Sequence, residues 1–172
     1  RCDGASSRIN VSNYIKSIKC GKRMIKLLIS DIDGVLTDGT CQMSDKGDMV
    51  KTFCNRDFDG IYELSKKDIK VLILSQCRDE CIIRRVEHFP GWFKENIEVQ
   101  THIDDKLSFV EAKLKELQIS WNQVAYIGDA KNDISCMQKA KITACPLDAL
   151  PETKKEAAFI SSFAGGKGCL YD

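Results

Sequence analysis

From residue 24 onward, short apolar runs alternate with longer segments whose apolar residues recur at helical spacing. Residues 24–29, 71–74 and 124–127 are nearly continuous in apolar character, as parallel strands covered on both faces are. Weaker strands are predicted at 97–99 and 142–144. Helices are predicted at 60–67, 80–88, 106–117, 132–139 and 152–158. In 106–117 the apolar positions Leu107, Val110, Leu114 and Leu117 lie three and four apart, which gives the helix one buried face. Strands that alternate with helices imply right-handed crossovers and a three-layer, Rossmann-like α/β domain with a mainly parallel sheet. The strand at 24–30 is expected at its centre. One stretch breaks the alternation: residues 40–43 and 48–53 flank Ser44–Gly47, where Asp45, Lys46 and Gly47 supply turn chemistry, so a β-hairpin is inserted after the first strand. The domain accordingly spans residues 24–172, and residues 1–23 are a linker or N-terminal extension.

Composition narrows the function. A chain of 172 residues fits one domain and can bury its own core without staples. Lys plus Arg number 26 against 25 Asp plus Glu, a net charge of +1, so no global field is available to hold nucleic acid. No apolar run approaches the ~18 residues of a membrane span. The cysteines, nine in all, form no CxxC pair that would hold a structural zinc, and an odd count does not make a complete disulfide framework. Cys77 and Cys81, the nearest pair, stand at helical spacing with no histidine close by. A reducing compartment, the cytoplasm, is the expected location. The basic cluster Lys19, Lys22, Arg23 reads better as a solvated linker than as a nuclear address.

The candidate chemistry lies at strand ends. In Ile25 to Gly39, IKLLISDIDGVLTDG, Asp31 and Asp33 come immediately beyond the carboxyl end of a buried strand and are followed by Gly34. In open α/β sheets that edge binds ligands. A second strand ends in Gly128 and Asp129, with Asp133 four residues on, in the first turn of a helix starting near Lys131. Taken singly, such aspartates are helix caps or turn formers. As a set, Asp31, Asp33 and Asp129 converge on one edge and repel one another by several kcal/mol if partly buried, unless a cation joins them. Hard oxygen ligands completed by water and phosphate are magnesium chemistry. Ser75 follows the strand at 71–74 and could donate to a phosphoryl oxygen or cap a helix. Lys106, after Asp104 and Asp105, could neutralise a phosphate or a carboxylate, or be a solvated charge.

Asp31-Ile-Asp33-Gly-Val-Leu-Thr-Asp-Gly39, Ser75, Lys106 and Gly128-Asp129-x-x-x-Asp133, in that order, resemble the four motifs of the haloacid dehalogenase superfamily of phosphohydrolases. DGVLTDG, the hairpin, Arg56-Asp57-x-x-Gly60-Ile61, VAYIGD and the late AGGKG are most similar to its capless branch, which removes phosphate from 2-keto-3-deoxy sugar acids of eight or nine carbons. The resemblance implies that Asp31 attacks phosphorus and that Asp33 protonates the leaving oxygen and then activates water. It implies Mg2+ held by the Asp31 carboxylate, the Asp33 backbone carbonyl and Asp129. Ser75 and Lys106 would hold phosphoryl oxygens, and Asp133 would orient Lys106 or a metal-bound water. Arg56 or Arg78 would meet the substrate carboxylate. The branch also implies a homotetramer in which the hairpin, residues 39–53, closes a neighbour's active site. A similar domain ends some CMP-sialic acid synthetases, so the alternative is a non-catalytic oligomerisation domain preceded by a cytidylyltransferase domain before residue 1. Three departures from the branch stand out: Ser75-Gln76-Cys77-Arg78 where a Gly and then an Arg or Glu usually follow the hydroxyl, Ala130 where a second Asp is usual, and an end at Asp172 where relatives continue into a helix.

Overall fold

The computed structural model describes residues 25–172; the extension expected at 1–23, with its basic cluster, lies outside the described residues. Strand β1, Leu27–Asp31, pairs in parallel with β4, Lys70–Leu74, and with β6, Val124–Ile127. β5, Ile97–Gln100, extends the sheet beyond β4. On the other side follow β7, Ile142–Cys145, and β8, Phe159–Ile160. The order is β5-β4-β1-β6-β7-β8, every pairing is parallel, and β1 is interior. Its side chains alternate between two cores, which explains why the run is apolar on both faces.

On one face Leu27, Ile29, Leu72, Leu74, Val124 and Tyr126 pack with Val110 and Leu114 of helix α4, Lys106–Leu117, and with Cys136 and Met137 of α5, Ile134–Met137. On the other, Val71, Ile73 and Ile97 pack with Phe58 and Ile61 of α1, Asn55–Ser65, with Ile82 and Val86 of α2, Glu80–Glu87, and with Phe93 of α3, Gly91–Lys94. A last helix, α6, Pro151–Glu156, precedes β8. α2 and α4 begin where Asp79 and Asp105 accept the amides of Ile82 and Ser108, at 3.2 and 3.1 Å. The hairpin forms with two-residue strands, β2, Gln42–Met43, and β3, Met49–Val50, and Gly47 turns it with a φ of 85°. Among the described residues no helix is long and apolar enough to cross a membrane.

Several boundaries differ from the pattern. β1 begins at Leu27 and runs on through Asp31, so the aspartate is the last residue of the strand and not the first beyond it. α1 starts at Asn55, five residues ahead of the expected Gly60. Its first turns look polar because Asp57 is buried against backbone, accepting the amides of Gly168 at 3.2 Å and Leu170 at 2.8 Å. Gly60 lies inside the helix because the chain passes close by: a Cβ there would stand 3.1 Å from the Cα of Tyr171. The helix expected at 132–139 is a 3-10 turn, Lys131–Asp133, followed by the single turn of α5. α3, β8 and the 3-10 turn Trp121–Gln123 are too short for periodicity to mark. Cys77 lies in the bend before α2, so it does not share a helix with Cys81. All seven cysteines among the described residues are free thiols.

Candidate active site

The parallel register brings the carboxyl ends of β1, β4 and β6 side by side, with Asp31 opposite Leu74 and Ser30 opposite Ile127. Asp31 is 5% exposed, and its Oδ1 lies 2.8 Å from the ammonium of Lys106. The same ammonium is 2.8 Å from Asp133 Oδ1. Lys106 is delivered here by its place as the first residue of α4, after the Asp105 cap. Asp133 is held by four donors: Lys106 and the Tyr126 hydroxyl at Oδ1, both at 2.8 Å, and the amides of Asp129 and Ala130 at Oδ2, at 3.1 and 3.2 Å. A carboxylate so saturated is a fixed counter-charge. Asp133 therefore orients Lys106 directly.

Asp31, Asp129 and Asp133 each offer a carboxylate oxygen, and these lie within 4.8 Å of one another. Lys106 offsets part of their charge through Asp31 and Asp133. Burial first, and the charge of Asp133 second, push the Asp31 carboxyl up to about 7, with Lys106 pulling the other way. Burial and then Asp133 push Asp129 up to about 6. Burial alone would lower Lys106, but Asp31 and Asp133 outweigh it and hold its ammonium above the ordinary lysine value. Asp129 Oδ1 is buried with no hydrogen-bond partner among the protein groups. An orphaned hard oxygen beside two further carboxylates, with charge to spare, fits a hard divalent cation such as magnesium.

Three glycines allow this crowding. Gly34 takes φ 87°, and a Cβ there would lie 2.2 Å from Asp129 Oδ2. At Gly128 a Cβ would lie 2.4 Å from the Asp133 carboxyl carbon. At Gly165 it would lie 2.0 Å from the carbonyl oxygen of Gly34. Together with the bond from the Gly166 amide to the Val35 carbonyl, 2.8 Å, this seats the late AGGKG segment on the loop that carries the aspartates.

Asp33 stands apart from the acidic cluster. Both its oxygens meet Lys51 Nζ, at 2.6 and 2.8 Å, and Thr37 Oγ1 donates to Oδ1 at 3.2 Å. Its carboxylate is thus committed away from the cation position. Ser75 is buried at the end of β4; its hydroxyl oxygen accepts the Cys77 amide at 3.1 Å, and its carbonyl accepts the Ile103 amide at 3.1 Å. His102, at φ 65°, donates its amide to the Cys77 carbonyl, so the loops after β4 and β5 brace each other. Gln76 Oε1 accepts from Asn132 at 3.2 Å and ties the loop after β4 to the turn after β6.

Contacts thus join Asp31, Lys106, Asp129 and Asp133, with Ser75 at the same edge and Asp33 on an adjoining network. Arg56 and Arg78 lie outside both. Arg56 lies on α1 with its guanidinium 5.7 Å from the Phe163 ring centre, and Arg78 is exposed, 3.9 Å from Glu80. Sequence reasoning missed Lys51, Tyr126 and Asn132. The apolar run of β6 hid the tyrosine, and a hairpin lysine or an asparagine beside a helix start carries no distinguishing signal.

A strand-end carboxylate cluster with its own lysine, on a parallel three-layer sheet, suits a hydrolase of the haloacid dehalogenase kind, and the family profile of haloacid dehalogenase-like hydrolases matches residues 61–169. The chain belongs to that family, and its enzymatic class is phosphomonoester hydrolase. Over 150 residues it is 33% identical to the 3-deoxy-D-manno-octulosonate 8-phosphate phosphatase of Yersinia pestis, covering 85% of this chain and 75% of that one. The crystal structure of the Moraxella catarrhalis 3-deoxy-D-manno-octulosonate 8-phosphate phosphatase, in complex with magnesium, phosphate and KDO, superposes with a TM-score of 0.80 at 26% identity, over 87% of this chain and 83% of that one. The N-acylneuraminate cytidylyltransferase A of Danio rerio is 28% identical over 148 residues, 86% of this chain, which spans only 33% of that protein's length.

Proposed function

We propose that the chain is a magnesium-dependent phosphatase of 2-keto-3-deoxy sugar acid phosphates of eight or nine carbons, with 3-deoxy-D-manno-octulosonate 8-phosphate the first substrate to try. The observation that carries the reading is the buried Asp31–Lys106–Asp133 array beside the orphaned oxygen of Asp129. That set is costly to bury for stability alone. It matches what phosphoryl transfer asks for, since such catalysis is mostly positioning and electrostatics.

In this reading Asp31 attacks phosphorus through a carboxylate oxygen, and the ester P–O bond breaks as the Asp31–phosphorus bond forms. The departing sugar oxygen takes its proton from Asp33. Water then attacks the aspartyl phosphate, returns a proton to Asp33 and releases inorganic phosphate from Asp31. Lys106 and the Ser75 hydroxyl hold phosphoryl oxygens, and Asp133 keeps Lys106 in place. Magnesium, held by Asp31, the Asp33 carbonyl and Asp129, would shield the charge of the arriving phosphate. Arg56 or Arg78 would pair with the substrate carboxylate in a tetramer, where a neighbour's hairpin covers the cleft.

The test is release of inorganic phosphate from a panel of phosphorylated sugar acids, with magnesium and with a chelator. Magnesium-dependent turnover of an eight- or nine-carbon member above that of simple esters is expected; none on any member refutes the reading. The kinship with a cytidylyltransferase supports a second reading, a non-catalytic oligomerisation domain of such an enzyme. On that reading the panel stays silent while the protein still assembles.

A further inference from the structure

Lys51 directly follows β3, where a lysine would ordinarily sit in solvent, yet its side chain is only 4% exposed. Its ammonium meets both oxygens of Asp33, at 2.6 and 2.8 Å, and Oδ2 of Asp79 at 2.6 Å. Asp79 is wholly buried, and its other oxygen caps α2. The hairpin is fastened at the same place a second time, by the Cys81 thiol donating to the Met49 carbonyl at 3.4 Å. Asp33 is therefore held from the hairpin side by Lys51 and from its own loop by Thr37.

We propose that Lys51, anchored by Asp79, is the positioning residue for the Asp33 carboxylate, and that through it the hairpin sets the geometry of proton transfer. The inference rests on the reading of Asp33 as the group that serves the leaving oxygen and the water. Neutralising a buried Asp79 would need only one contact; the two bonds to Asp33 fix the plane of its carboxylate as well. Asp79 has a separate use. When Asp33 turns toward a substrate oxygen it gives up a contact with Lys51, and Asp79 keeps the ammonium paired, so that no buried charge is stranded.

A displaced proton donor slows esters with a basic leaving oxygen far more than esters whose leaving group departs as a stable anion. The experiment compares kcat/KM, which reports the first transfer, for phenyl phosphate and p-nitrophenyl phosphate, two esters of nearly the same shape, with magnesium present. For Lys51→Met the expectation is a loss of about tenfold or more on phenyl phosphate, part of the ~10²–10⁴ that general acid catalysis supplies in full, against less than about threefold on p-nitrophenyl phosphate. In an Asp33→Asn background the same substitution should change neither, because its target is gone. Asp79→Asn keeps the helix cap and should shift the ester ratio in the same direction by a smaller amount, so a Lys51→Met protein that fails to fold still leaves a decisive variant. Equal losses on both esters in Lys51→Met or Asp79→Asn, or an undiminished Lys51→Met effect in the Asp33→Asn background, would overturn the proposal and leave the phosphatase reading standing. A wild-type protein that hydrolyses neither phenyl ester nor any sugar acid phosphate removes both.

Discussion

On the proposed mechanism Asp31 attacks phosphorus in its charged form, yet its surroundings favour the proton: burial and Asp133 lift it to about 7, and Asp129 is lifted to about 6. In the unfolded chain both titrate near 3.8. Between about pH 4 and pH 7 the folded, metal-free protein therefore binds protons that the unfolded chain has released, so these groups make stability fall as pH rises through that window. Melting curves in chelator at pH 5 and pH 8 should show the higher Tm at pH 5, and magnesium should shrink the difference by stabilising the charged forms. A Tm that climbs toward pH 8 in chelator would contradict this. Asp31→Asn should lower turnover by more than about a thousandfold, as removal of a nucleophile does. Its Tm in chelator should be unchanged or slightly higher, because the repulsion from Asp133 is gone while Asp133 still pairs with Lys106. Magnesium at a hundredfold excess over its Kd stabilises a native-state site by about 2.7 kcal/mol. Asp129→Ala should lose most of that shift, which differential scanning calorimetry measures directly.

Legibility at the level of the element followed local pattern. α4 was readable to its ends because Leu107, Val110, Leu114 and Leu117 trace a single stripe and Asp105 caps it. Asp31, Asp33 and Asp129 stood out only as a set at two strand ends, and Lys106 and Asp133 only through the motif order, since each alone reads as a cap, a turn former or a solvated charge. The start of α1 was not, since the partners of Asp57 are amides more than a hundred residues away in sequence. Lys51 escaped for the same reason: its burial is made by Asp33 and Asp79, on two other elements. The hairpin offers a test at this scale. Met43 and Val50 are 66% and 60% exposed, apolar surface that a shared active site would cover. Met43→Asp, which leaves Lys51 untouched, should reduce the particle size seen by light scattering and lower activity on sugar acid phosphates by about tenfold, with p-nitrophenyl phosphate hydrolysis kept. An unchanged size and preference would show that the hairpin does not close a neighbour's cleft.

For the molecule as a whole, the tail and the aspartate loop behave as one unit. Asp57 fixes residues 168 and 170, and the glycines just before them lie on Gly34 and Val35. Asp57→Ala should cost about 1–3 kcal/mol by leaving those two amides without their acceptor. It should also lower activity, although Asp57 touches none of the acidic cluster; chemical denaturation and a turnover assay on the same sample check both. The sheet order carries one more consequence, for biosynthesis. β1 is among the first described segments to leave the ribosome, yet one of its two neighbours, β6, emerges about a hundred residues later, Leu27 lying beside Val124. Until then a hydrophobic strand has one side open to other chains. Ribosome-stalled or prematurely terminated products that end before residue 124 are therefore the forms of this protein most prone to clump, whatever the stability of the finished enzyme.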